Sequence, residues 1–190
     1  VDARYVAGLE LSRYQGLTRP HHVEIDLAEA GLDERSVLLA TGWIYPTDSS
    51  INVAVAQGAS ERPGSLRLEV PDGRGGWVVA RPDLGFPAGK HKTMVIDLEG
   101  LFGPDTPRRL RLATNLEIYW DRLAVAERVP DSSGSVTAMS MAVADLRYRG
   151  FSETLTPTRA HPEVPVYDRL QGTGQRWPDL VGYHTRFGDV

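Results

Sequence analysis

Short runs in which apolar and polar residues alternate, each closed by Pro, Asp, Asn or Gly, fill most of the first 150 positions and leave little room for helices. Val23–Leu27 alternates apolar with acidic residues, so Val23, Ile25 and Leu27 share one face of a strand. Val37–Trp43 is a nearly continuous apolar run ending at Gly42-Trp43, and Ile51–Ala56 alternates again with Ile51, Val53 and Val55 on one side. Leu66–Val70 and Trp77–Ala80 flank Pro71–Gly76, whose glycines supply the positive φ values of a bulged hairpin turn. Thr93–Leu98 follows the turn Gly85–Gly89. Leu110–Thr114 and Glu117–Ala126 are expected to pair across Asn115-Leu116. Met139–Arg149 reads as a last long strand, with Met139, Met141, Val143, Asp145 and Arg147 on one face.

This spacing predicts an all-β fold, a β-sandwich of jelly-roll type over residues 1–150, with an irregular C-terminal arm over 151–190. Helix is expected only as single turns in Asp26–Arg35 and Asp168–Leu170. Val129–Thr137 has the Pro, Ser and Gly content of a linker, and alternation is lost from Thr154 onward. The arm still holds Tyr167, Trp177, Tyr183 and Phe187, which suits packing on the sandwich or on a further domain. With 190 residues the chain buries a core without staples, and it has no cysteine, which removes disulfides, thiolate nucleophiles and cysteine-held zinc. A net charge of −4 with no basic cluster argues against nucleic acid as a partner, and no apolar run is long enough for membrane insertion. The start at Val1 and the unpunctuated end at Val190 read as a piece of a longer protein.

A series of motifs runs in order along the chain: Arg13–Gly16, Gly42–Asp48, Ser50–Asn52, Leu68–Gly73, Asp83–Pro87, Gly89-Lys90 with Lys92, and Thr114-Asn115 leading into Ile118–Asp121. Leu146–Ser152, Tyr167-Asp168 and Tyr183 with Thr185–Val190 continue it. This order resembles the region C-terminal to FG-GAP or tetratricopeptide repeats in bacterial cartilage-acidic-protein-like proteins. The resemblance implies a module of a larger, extracytoplasmic or secreted protein and carries no enzymatic activity with it. The strand order is similar to that of galactose-binding-like jelly rolls, a fold with many functions.

Trp43, Tyr45, Trp77, Tyr119 and Trp120 are the rings that could stack on a sugar, and the alternative for Trp43 and Trp120 is a place in the core. Tyr45, followed by Pro46 at a strand end and by Thr47 and Asp48, is the best placed for a glycan contact. Trp43, Tyr45, Asp48 and Trp77 therefore form the candidate ligand-binding set. Asp121 in Tyr119–Arg122 looks similar to the acid that holds a structural calcium in carbohydrate-binding jelly rolls. Glu24, Asp26 or Asp48 would have to add oxygens toward the six to eight that calcium takes. The alternative pairs Asp121 with Arg122, Arg111 or Arg149. Adjacent His21 and His22 would point to opposite faces of a strand, and His91, His161 and His184 are scattered.

No nucleophile elbow, zinc-protease motif or phosphate loop occurs, and Gly85–Lys90 lacks both the spacing and the following helix of the last. The expectation is a non-catalytic accessory module that braces neighbouring domains or binds protein. A carbohydrate-binding module with a rim site is the alternative. A glycoside hydrolase using carboxylates among Asp48, Asp83 and Asp121 is the third reading.

Overall fold

The computed structural model describes residues 4–60, 62–129, 134–144 and 150–172. The chain divides into two compact units, Val1–Val129 and Pro130–Val190, and the division falls inside the Pro/Ser/Gly-rich stretch.

Among the described residues, the first unit holds seven strands and one short helix: β1 (Leu17–Asp26), β2 (Ser36–Ile44), α1 (Ser50–Ala56), β3 (Arg67–Pro71), β4 (Trp77–Arg81), β5 (Lys92–Asp97), β6 (Arg109–Leu116) and β7 (Ile118–Glu127). They form two antiparallel sheets, one in the order β1-β6-β3-β4 and the other in the order β5-β2-β7. One buried cluster draws on both sheets, with Leu68, Leu110 and Leu112 from the first and Leu38, Ala40, Ile96, Ile118 and Trp120 from the second. The architecture is thus sandwich-like and mostly β. Each large apolar side chain buried in it is worth roughly 1.5–3 kcal/mol, and period-2 alternation is what delivers them all to one face. Val23 and Ile25 stand opposite Leu112 and Leu110, and Leu68 stands on the other side of Leu112, so one apolar row crosses three strands.

The hairpin at Pro71–Gly76 forms as expected. Asp72 accepts from the N–H groups of Arg74 and Gly76 at 2.8 Å each, while Gly73 and Gly75 take positive φ.

Four expectations are corrected. Ile51–Ala56 belongs to a helix: Asp48 accepts from Ser50 N–H at 2.9 Å and turns the chain, after which Ile51 and Ala54, three apart, are buried and Val53 is exposed. A six-residue window satisfied two periods, and the Asp-initiated turn decided between them. β6 and β7 do not pair with each other, because Asn115 does not turn. Its amide side chain accepts from Gly64 N–H and donates to Arg62 C=O, and the chain runs on through Glu117 into the opposite sheet. Residues 139–144 form no strand and leave Met139, Met141 and Val143 exposed, while 145–149 lie outside the described residues. In the second unit β8 (Phe151–Leu155) and β9 (Val164–Gly172) pair antiparallel, so the described part of the arm is a hairpin, and Asp168–Leu170 is strand, not helical turn. Tyr167 is exposed on β9; Trp177, Tyr183 and Phe187 lie outside the described residues.

Candidate functional site

Ile44, Ile118 and Trp120 point into the core, so the pleat sends Trp43 and Tyr119 to the outer face of the β5-β2-β7 sheet. The two are register partners, and their rings stack with centroids 5.5 Å apart and planes 20° from parallel. Tyr45 leans on Trp43 at 5.7 Å and 52°. Tyr119 donates its hydroxyl hydrogen to Glu117 Oε1 at 2.7 Å, and that carboxyl is fully buried. Trp43 and Tyr119 are 6% and 4% exposed, so neither presents an open ring, whereas Tyr45 is half-buried at the rim.

The loop after Tyr45 is held from the Arg13–Gly16 turn. Gln15 donates to Pro46 C=O at 2.9 Å, and Tyr45 N–H donates to Glu117 C=O at 2.9 Å. Gly16 has φ +76°, and a Cβ there would lie 2.8 Å from Tyr45 O and 2.7 Å from Thr47 N. Backbone passes backbone at that point, which only glycine allows. The ring and carboxylate expected side by side at Tyr45 and Asp48 are adjacent in this loop, but Asp48 accepts from both the N–H and the hydroxyl of Ser50.

Trp77 lies elsewhere, on the β1-β6-β3-β4 sheet. The Arg111 guanidinium covers its ring at 3.9 Å from the centroid, with Arg109 at 5.9 Å. Both arginines grip Glu24: Arg111 Nε and Nη2 donate at 3.1 and 3.0 Å, and Arg109 bonds the other carboxylate oxygen. Arg67 and Glu69 continue the same row of alternating charge at 2.6 Å. Asp26 accepts from Ala28 N–H at 2.9 Å.

Asp121 is the extra residue of a β-bulge, since Thr41 faces Arg122 and Gly42 faces Trp120. Its carboxylate is 6% exposed and meets His91 Nε2 at 3.1 Å, not an arginine. Tyr5 packs edge-on against His91 with centroids 6.1 Å apart. Burial, and after it the charge of Asp121, push the Tyr5 hydroxyl above its ordinary range.

The candidate calcium ligands therefore do not come together. Asp121 and Glu24 lie on different sheets with partners of their own, Asp26 caps a turn, and among the described residues no three His, Cys, Asp or Glu side chains could hold one ion. Sequence reasoning missed His91, Tyr5 and the buried Glu117. A bulge leaves no composition signal, so nothing pointed from Asp121 to His91. Of the adjacent histidines, His22 is exposed, but His21 is half-buried with Nδ1 2.9 Å from the Thr18 hydroxyl.

No helix of the described residues is long and apolar enough to cross a membrane. No family model, curated protein or solved structure matches the chain.

Proposed function

We propose that the chain is a non-catalytic accessory module that engages protein, bracing neighbouring domains of a larger, exported protein. The observation that carries this reading is the half-buried Tyr45 ring at the end of β2, backed by the covered Trp43–Tyr119 stack. A partly accessible aromatic ring held by packed rings behind it suits the centre of a protein contact. Rigid aromatics lose little side-chain freedom on docking, which favours them as anchors. The test compares the module alone with the module joined to its natural flanking sequence. Bracing predicts a higher melting temperature for the joined form and a smaller gain with Tyr45→Ala; equal melting of both forms overturns it.

A second reading keeps Tyr45 as a glycan contact, because its half-buried ring borders the exposed Pro46–Asp48 loop. With Asp48 occupied by Ser50, that contact would consist of the ring and little else, worth on the order of 1 kcal/mol. A glycan array followed by titration of any hit against Tyr45→Ala tests it; a hit indifferent to that change removes the site.

A further inference from the structure

Each sheet of the first unit ends in two edge strands, and β1, β4 and β7 are guarded. β1 carries Pro20 and bridges to Leu11 at Thr18, and Arg19 N–H donates to Glu10 C=O at 2.9 Å. On β7, Trp120 C=O accepts from Val6 N–H at 2.8 Å, and the bulge at Asp121 interrupts the strand beyond it. β4 is five residues long and is bulged against β3 between Val79 and Arg81. Bulges, prolines and covering segments are the ordinary means of keeping an edge from pairing with another chain. β5 has none of them. Its six residues run opposite residues 37–42 without a break, hold no proline, and carry no charge between Lys92 and Asp97. Among the described residues β2 is its one strand partner.

The phase of the β2–β5 ladder decides which main-chain groups face outward. Leu98 N–H donates to Ser36 C=O at 3.1 Å, one step past the facing pair of Val37 and Asp97. Bonded pairs alternate in an antiparallel ladder, so Met94 and Ile96 turn their N–H and C=O groups to β2. Thr93, Val95 and Asp97 turn theirs to the open side. The pleat sends the side chains of these same residues to the outer face, since Met94 and Ile96 pack inward. All of them are exposed, Val95 at 59%. Val95 stands opposite the half-buried Leu39, and Leu39 opposite the half-buried Ala124, so an apolar row crosses the sheet and ends at the bare edge.

We infer that β5 pairs with β5 of a second copy of this chain, antiparallel about a two-fold axis at Val95, in one continuous sheet of order β7-β2-β5-β5-β2-β7. Only this register sets every outward-facing residue of one copy against an outward-facing residue of the other. Val95 meets Val95, and Thr93 meets Asp97 on either side. These facing pairs exchange about six main-chain hydrogen bonds, two in each pair. The strand is complementary to itself there: β-branched side chains meet at the axis, the Thr93 hydroxyl can donate to the Asp97 carboxylate, and no like charges stand opposite. Both polar groups are already placed, Thr93 by Thr41 at 2.8 Å and Asp97 by Arg128 at 3.2 Å. A two-fold contact requires one patch that matches itself, and this match selects a second copy over an unrelated strand. The contact shares no residue with the Tyr45 rim or the Trp43–Tyr119 pair, and it stands or falls separately from the bracing role.

The experiment follows the whole chain by sedimentation and by amide hydrogen exchange from about 10 µM to about 1 mM, a span around the Kd on the order of 100 µM that so small an interface implies. A dimer is expected to form across that span. The amides of Thr93, Val95 and Asp97 should exchange freely in dilute solution and become protected as the dimer forms. Val95→Lys and Val95→Glu, at an exposed position, each set like charges against one another at the axis and should weaken the dimer roughly tenfold. An equimolar mixture of the two variants sets opposite charges there and should restore it. A chain that stays monomeric at about 1 mM, ten times that Kd, overturns the proposal. Protection of these amides in the monomer also overturns it, because the edge is then covered within one chain. So does a dimer indifferent to Val95→Lys, which puts the second copy elsewhere, or a mixture no tighter than its components, which breaks the register.

Discussion

Trp120 lies against Gly42 so closely that a Cβ at Gly42 would sit 3.0 Å from Trp120 Cε3 and 2.5 Å from Tyr119 O. The two residues are register partners across β2 and β7, immediately beside the bulge that sets Asp121 aside. The indole fills the space where a side chain would project into the core, and the second clash is with backbone, which cannot turn away. Gly42→Ala is therefore expected to destabilise the fold by about 2–3 kcal/mol, in the range of overpacked cores. Urea denaturation checks it. A loss below about 0.5 kcal/mol would show that β2 and β7 separate at little cost.

His91 and Asp121 form the second case. The Asp121 side chain is 6% exposed and His91 is 37% exposed, so the acid has exchanged water for the imidazole while the base has not. Removing the base leaves a buried carboxylate short of a partner, and His91→Ala should cost about 2 kcal/mol. Asp121→Asn should cost less, because it keeps an amide within reach of the ring and removes the charge. A double-mutant cycle that finds no coupling between the two positions would make the 3.1 Å approach an incidental contact.

The strands were legible wherever alternation ran beside a marked turn. Val23–Leu27, the Leu66–Ala80 hairpin and Thr93–Leu98 all carry their inward residues in the sequence and their ends in Gly, Pro or Asp. The failures have two causes. Whether Asn115 turns the chain depends on Arg62 and Gly64, some fifty positions away, which claim its side chain, so the crossing from one sheet to the other is written in tertiary contacts. Asp48 initiating α1 is local, yet six residues of Ile, Val and Ala satisfy both periods. Tyr45 was readable as a rim residue because Pro46 follows it. The occupation of Trp77 by Arg111 was not readable, because it requires the register of β3, β4 and β6.

The candidate calcium ligands have partners of their own. Glu24 is held by Arg109 and Arg111, and Asp121 by His91. Chelation with EDTA should leave the melting temperature unchanged, and added calcium should not raise it. A calcium-dependent rise abolished by Asp121→Asn would instead require these pairs to open for the ion.

His21 gives the fold a pH dependence whose sign follows from its setting. Burial is the largest cause of its lowered pKa, the neighbouring charge of His22 adds to it, and the hydrogen bond to Arg19 C=O opposes both. In the unfolded chain the imidazole takes up its proton near the ordinary value of 6.5, before it does so in the folded state. The unfolded state thus binds more protons in that interval, and stability rises with pH there. The contribution is complete above pH 6.5, falls as pH drops below it, and levels off once the folded imidazole is also protonated. Urea denaturation of the wild type and of His21→Gln between about pH 5 and pH 8 isolates this term from the other titrating groups. The difference between the two proteins should favour the wild type at the upper end of the range and shrink or reverse toward the lower. A difference that stays constant across the range would mean that the ring protonates as freely in the fold as in the open chain.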